Sequence, residues 1–111
     1  MFETWPEIFS PSMRRVVDPP VPVLVELGVA IARTPGGRFG RDTLPMRVKA
    51  GGLDLSRTVP GRLLAWARCS DGSWLGLVEF MIATGNDRGR IAVTQWCGAR
   101  ALRPDPGRRI V

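Results

Sequence analysis

Between residues 21 and 31 every odd position is apolar: Val21, Val23, Val25, Leu27, Val29 and Ile31. A period of two marks a strand with one face turned inward. Pro22 has no amide hydrogen to donate, which assigns this strand to a sheet edge or a strand start. Leu24, Leu27 and Ile31 also fit a helical period over residues 22–33, closed by Pro35, Gly36 and Gly37. The two readings compete, and we take the strand.

The clearest pattern lies further on, where residues 61–69, 74–83 and 90–96 read as three consecutive strands. Ser70, Asp71, Gly72 and Ser73 join the first two tightly, and residues 84–89 join the next two more loosely, which makes a meander. In the middle strand Trp74, Gly76, Val78, Phe80 and Ile82 share one face, while Leu75, Leu77, Glu79 and Met81 share the other. Both faces are largely apolar, so the pattern predicts a central strand covered on two sides.

Before residue 21 the signals are helical. Thr4 and Glu7 bracket Trp5-Pro6 as a capping box, and Ser10-Pro11 repeats a helix start. Asp18-Pro19-Pro20 then stops any helix. Residues 1–20 are therefore expected to form short helical turns that pack on the domain, with Trp5, Ile8 and Phe9 as clamps. Residues 34–43, rich in Gly, Pro and Arg, read as an exposed loop, and residues 45–50 as a short strand before the Gly51-Gly52 break. The domain spans residues 21–104, and residues 105–111 read as a basic tail.

Composition narrows the chemistry. The chain of 111 residues is 44% apolar and 23% charged, which is a globular composition with length for one core. It contains neither His nor Tyr, which removes the commonest general base and the commonest nitrogen metal ligand. Cys69 and Cys97 are too few for a disulfide scaffold and read as buried thiols. No paired-carboxylate spacing stands out, so we expect no enzyme, no metal and no cofactor. No apolar run approaches membrane-spanning length, and the reading is a cytoplasmic protein with no membrane contact.

Net charge is +6, unevenly distributed. Residues 33–62 carry seven cations against Asp42 and Asp54, and residues 88–111 carry six against Asp105, so each block is +5. Nearly all the cations are Arg, as the codon usage of a GC-rich bacterial genome alone would produce. The alternative is a surface that meets phosphates or acidic protein.

Trp66, the tight Asp71-Gly72 turn, Trp74, Gly76 and Val78, Trp96, and the Cys97–Ala101 turn leading into Leu102-Arg103-Pro104 resemble a Src-homology-3-like small barrel of the Tudor-containing kind. The resemblance covers residues 61–104. Peptide-binding and methyl-lysine-reading members usually carry tyrosines, which this chain lacks, so the resemblance implies a non-catalytic binding scaffold.

The expected architecture is therefore mainly β, a small Src-homology-3-like barrel with short N-terminal helical turns. The expected activity is nucleic-acid binding, to DNA or RNA. Arg38, Arg41, Arg47, Lys49, Arg88, Arg90, Arg100 and Arg103 would contact phosphates, while Phe39, Trp66, Trp74 and Trp96 would stack on bases. Trp residues in small barrels are more often core than platform, which is the competing role for all three indoles. The other reading is a protein-interaction adaptor, with an acidic partner or a second copy docking on the barrel groove or on an edge strand at residues 21–31.

Overall fold

Two interruptions of the strand ladder shape this molecule. In the computed structural model, which describes residues 1–32 and 44–106, a five-stranded antiparallel sheet runs in the order β4-β3-β2-β1-β5. The strands are β1 (Arg14–Glu26), β2 (Thr58–Arg68), β3 (Trp74–Ala83), β4 (Arg90–Gly98) and β5 (Leu102–Pro104). The fold is mainly β, as expected, and the sheet is strongly curled into a half-barrel. Its helices are short: α1 (Leu27–Ala30), α2 (Met46–Gly51) and a 3₁₀ turn at Ala99–Ala101.

Between Val16 and Val21 the pairing of β1 with β2 slips, and residues 17–20 have no partner across it. Asp18, Pro19 and Pro20 fill this gap, where prolines break no ladder hydrogen bond. The second slip falls between Leu63 and Ala65, where β2 carries one more residue than β3. Bulges bend the strand and sharpen its twist, which accounts for the curl.

The core lies on the concave face. Val23, Val25, Leu27, Leu63, Val78, Phe80, Ile82, Cys97 and Ala101 form one buried cluster, with Trp66 and Leu102 packed against it. The 3₁₀ turn carries the chain from the end of β4 to β5, which pairs with β1 through Val25↔Leu102 and Val23↔Pro104. A smaller layer forms on the convex face. Ala65 and Ala67 are buried there, and Phe2 and Trp5 lie over this side of the sheet. Arg14 fixes that N-terminal segment: its Nε donates to Trp5 O at 3.0 Å and its guanidinium sits 5.6 Å from the Phe2 ring centre.

Several expectations change. Residues 1–13 form turns and bends with no helix, and β1 begins at Arg14, upstream of the prolines taken as a stop. The cap signals at Thr4 and Ser10 go unused because Arg14 and Met13 tie this stretch to the sheet, Met13 O accepting from Arg68 N at 2.8 Å. Phe2 and Trp5 act as the clamps, while Ile8 and Phe9 stand exposed. Residues 21–31 divide: the strand ends at Glu26 and one helical turn follows. Val23, Leu24 and Val25 are flanked by β2 and β5, so this segment is not a free edge. Residues 46–51 are helical where a strand was expected. The convex side of β3 is partly open, with Met81 exposed. Of the thiols only Cys97 is buried, and burial raises its pKa; Cys69 is half-buried.

Tight approach at Gly61 offers a test. A Cβ there would stand 2.8 Å from Glu79 O and 3.0 Å from Val25 Cγ2 and Val78 Cγ1. Gly61→Ala is expected to cost about 1–3 kcal/mol by overpacking, and Leu27→Ala about 2–5 kcal/mol by leaving a cavity. Urea unfolding midpoints check both, and unchanged midpoints would contradict this packing.

Candidate functional site

The bulge at Leu64 sets which residues meet on the concave face. Beyond it Ala65 and Ala67 face outward, while Trp66 pairs with Gly76 and Arg68 with Trp74, so all four of these paired positions share the concave side. Arg15 pairs with Trp66 and joins them. Arg15, Trp66, Trp74 and Ala99 line an open cavity of about 320 Å³. This lies at the small end of the range for ligand sites. Both indoles are half-buried, and among the described residues no carboxylate lines the cavity.

The turn between β2 and β3 holds this arrangement in place. Gly72 adopts φ +91°, a conformation costly for any other residue. Asp71 accepts from Ser73 N at 2.9 Å and from Ser73 Oγ at 2.6 Å, and these bonds lower the Asp71 pKa. Arg68 donates from Nε to Gly72 O at 3.3 Å, and its guanidinium lies 5.3 Å from the centre of the Trp74 ring. That distance is within cation–π range.

A second cationic group lies at the opposite end of the sheet. The C-terminal end of α2 is bonded to the β3–β4 turn: Gly85 N donates to Gly52 O at 2.9 Å and Asn86 N to Ala50 O at 2.8 Å. A Cβ on Gly85 would collide with Lys49 O, so only glycine permits this approach. Arg47 and Lys49 on α2 and Arg88 and Arg90 beside the turn are thereby carried on two joined elements. All four are exposed, and among the described residues none has an acidic partner within 4.0 Å.

Arg57 locks this end. It donates from Nε to Asp54 at 2.9 Å and from Nη1 to Asp87 at 2.6 Å. Both carboxyl groups sit below their ordinary pKa, Asp87 chiefly through Arg57 and Asp54 chiefly through the Ser56 hydroxyl, while the Arg57 pKa is raised.

The expected site residues are thus divided. Trp66 and Trp74 share the concave cavity; Trp96 lies on the convex side, with its ring centre 5.8 Å from that of Phe2. Arg47, Lys49, Arg88 and Arg90 gather at the α2 end. Arg100 is exposed on the 3₁₀ turn next to Ala99, and Arg103 is exposed on β5 opposite Leu24. Arg38, Phe39 and Arg41 lie outside the described residues. Arg15 was missed because its strand was read as helical; the signal that could have found it is the alternation of Arg15 with Val17 once the strand is extended upstream.

No family model matches the chain, and comparison with curated proteins and with solved structures gives no match. Among the described residues no group of three or more His, Cys, Asp or Glu side chains is placed to hold a metal ion, and no helix is long and apolar enough to cross a membrane.

The Arg57 clamp predicts a pH dependence. A carboxyl group whose pKa is lowered by folding contributes stability above its unfolded value, near 4, and loses it as pH falls through the lowered value. The urea midpoint should therefore decline on acidification below about pH 4. Arg57→Gln should flatten the part of that decline owed to Asp87. An identical acid profile in the variant would remove Arg57 as the cause.

Proposed function

We propose that this chain is a non-enzymatic nucleic-acid-binding module whose concave cavity takes a base between or against Trp66 and Trp74 while Arg15 and Arg68 contact the adjoining phosphates. The observation that carries this reading is the meeting of two half-exposed indoles with the Arg15 guanidinium in one open cavity, which no carboxylate of the described residues lines, with the Arg68 guanidinium stacked on one of those indoles, Trp74. Base–aromatic stacking and cationic tracking of a backbone are the two components of single-strand binding. The group of Arg47, Lys49, Arg88 and Arg90 extends the cationic surface. Nine residue steps of β3 separate the two ends, roughly 30 Å at strand rise, so a strand of several nucleotides is needed to reach both.

A Src-homology-3-like barrel belongs to the same proposal. It is supported by the run of β2, β3, β4, 3₁₀ turn and β5 within residues 58–104. We also propose a cytoplasmic location and, from the preference for Arg over Lys, a GC-rich bacterial source. A second reading, an adaptor for a protein partner, draws on Ile8 and Phe9, which are 74% and 63% exposed.

Fluorescence anisotropy with labelled single-stranded oligonucleotides of increasing length tests the first reading. Affinity should rise with length and fall steeply with salt, as phosphate contacts release counterions. Trp74→Ala should weaken binding about 5- to 150-fold, the loss of one stacked base, and Arg15→Ala should reduce the salt slope by about one. Salt-indifferent anisotropy, or binding untouched by both substitutions, would refute the reading and leave the adaptor.

A further inference from the structure

The sheet of this half-barrel ends in two edges that are protected to different degrees. A strand edge exposes unpaired amide and carbonyl groups, and soluble proteins blunt it by shortness, proline, charge or bulges. The β5 edge has three residues and closes on Pro104. The part of β1 that β5 leaves uncovered carries Arg14, Arg15, Asp18, Pro19, Pro20 and Pro22 together with its bulge. The β4 edge has none of these devices after Arg90: Ile91, Ala92, Val93, Thr94, Gln95, Trp96, Cys97 and Gly98 run without charge, proline or register slip. Among the described residues only β3 pairs with β4, and no backbone hydrogen bond from outside the sheet reaches residues 90–98.

We infer that β4 is a dimerisation edge, pairing antiparallel with β4 of a second copy of this chain about a two-fold axis at Thr94. The sequence of the strand is self-complementary in that register. On the convex face Trp96 falls opposite the partner's Ala92 and Arg90 opposite the partner's Gly98, a large side chain against a small one each time. On the concave face Val93 meets the partner's Gln95. Charge does not oppose the pairing locally, because the two Arg90 side chains sit at opposite ends of the joined strands. Their backbones are roughly 27 Å apart at strand rise, well beyond the Debye length of about 8 Å at physiological salt. Isologous pairing of this kind closes on itself at two copies.

Thr94 is the position to alter: it is exposed, lies outside the proposed nucleic-acid contacts and would meet itself at the axis. Its neighbour across β3 is Glu79, already paired with Arg62. Size-exclusion chromatography with light scattering over a wide range of concentration should give a species of twice 12.2 kDa for the unaltered chain. Thr94→Lys and Thr94→Glu should each raise the dimer dissociation constant about fivefold, the effect of like charges placed directly opposite. Circular dichroism should show both variants folded, and an equimolar mixture of the two should recover the heavier species. A chain of single mass at every concentration, variants that dimerise as the unaltered chain does, or a folded mixture that stays monomeric would overturn the inference.

Discussion

One extra residue in β2 organises both faces of this protein. Upstream of Leu64, Gly61 and Leu63 point to the core; beyond it the parity reverses, so that Ala65 and Ala67 face outward and Trp66 and Arg68 face in. Without the slip, the two alanines would sit in the concavity and the large residues would meet the N-terminal segment. The small residues leave room for Phe2 and Trp5 to lie close to the sheet, and the large ones wall a cavity with Trp74. A bulge here is a device that re-aims side chains, the use to which strand interruptions are commonly put near binding sites.

The distribution of acidic residues completes the picture. Glu7 faces Arg14, Asp54 and Asp87 face Arg57, and Glu79 faces Arg62. Exposed pairs of this kind add little to stability, because water screens them and ordering two long side chains costs entropy. Their larger consequence is positional: they dock the N-terminal segment, the α2 end and the β2–β3 pair with the carboxylates already engaged. Arg15, Arg47, Lys49, Arg88 and Arg90 are left without an acidic partner among the described residues. Among the described residues, these cations are thus presented on particular surfaces rather than neutralised locally.

The legible parts of the sequence were those fixed by local rules. β3 is legible at its observed bounds because Trp74 follows an Asp-Gly turn and the apolar positions alternate without interruption, whereas the turn before β5 enters only through the resemblance to a Src-homology-3-like barrel and not through local spacing. The failures lie where tertiary contacts outweigh local preference. Thr4, Glu7 and Ser10 have cap chemistry, yet Glu7 pairs with Arg14 and Ser12 instead. Asp18-Pro19-Pro20 would end a helix, but in a strand it needs only a stretch where no partner asks for an amide, which the slip in β1 provides. Alternation over residues 21–31 hid a change of element, since Leu27 continues the apolar alternation of Val23 and Val25 and is fully buried although it already belongs to the helical turn. For the site, the paired indoles Trp66 and Trp74 were visible as residues, but their sharing of a face was not, because that face depends on the bulge at Leu64. Trp96 illustrates the same limit, its register with Leu77 sending it to the other side.

The β4 edge bears on the cavity through symmetry. In the proposed register residues of like face meet, Ala92 with the partner's Trp96, so the two-fold axis stands perpendicular to the sheet and the concave sides of both copies open in the same direction. Two cavities then address one side of a continuous ten-stranded sheet. A ligand long enough to occupy both would engage the second at high effective concentration, with no new contact required. The same geometry keeps the two ideas separable: a monomeric variant retains its own Trp66, Trp74, Arg15 and Arg68 and its own second cationic group, so its affinity for an oligonucleotide that one copy accommodates is set by that copy, and only the further gain from one long enough to reach both copies is set by the edge.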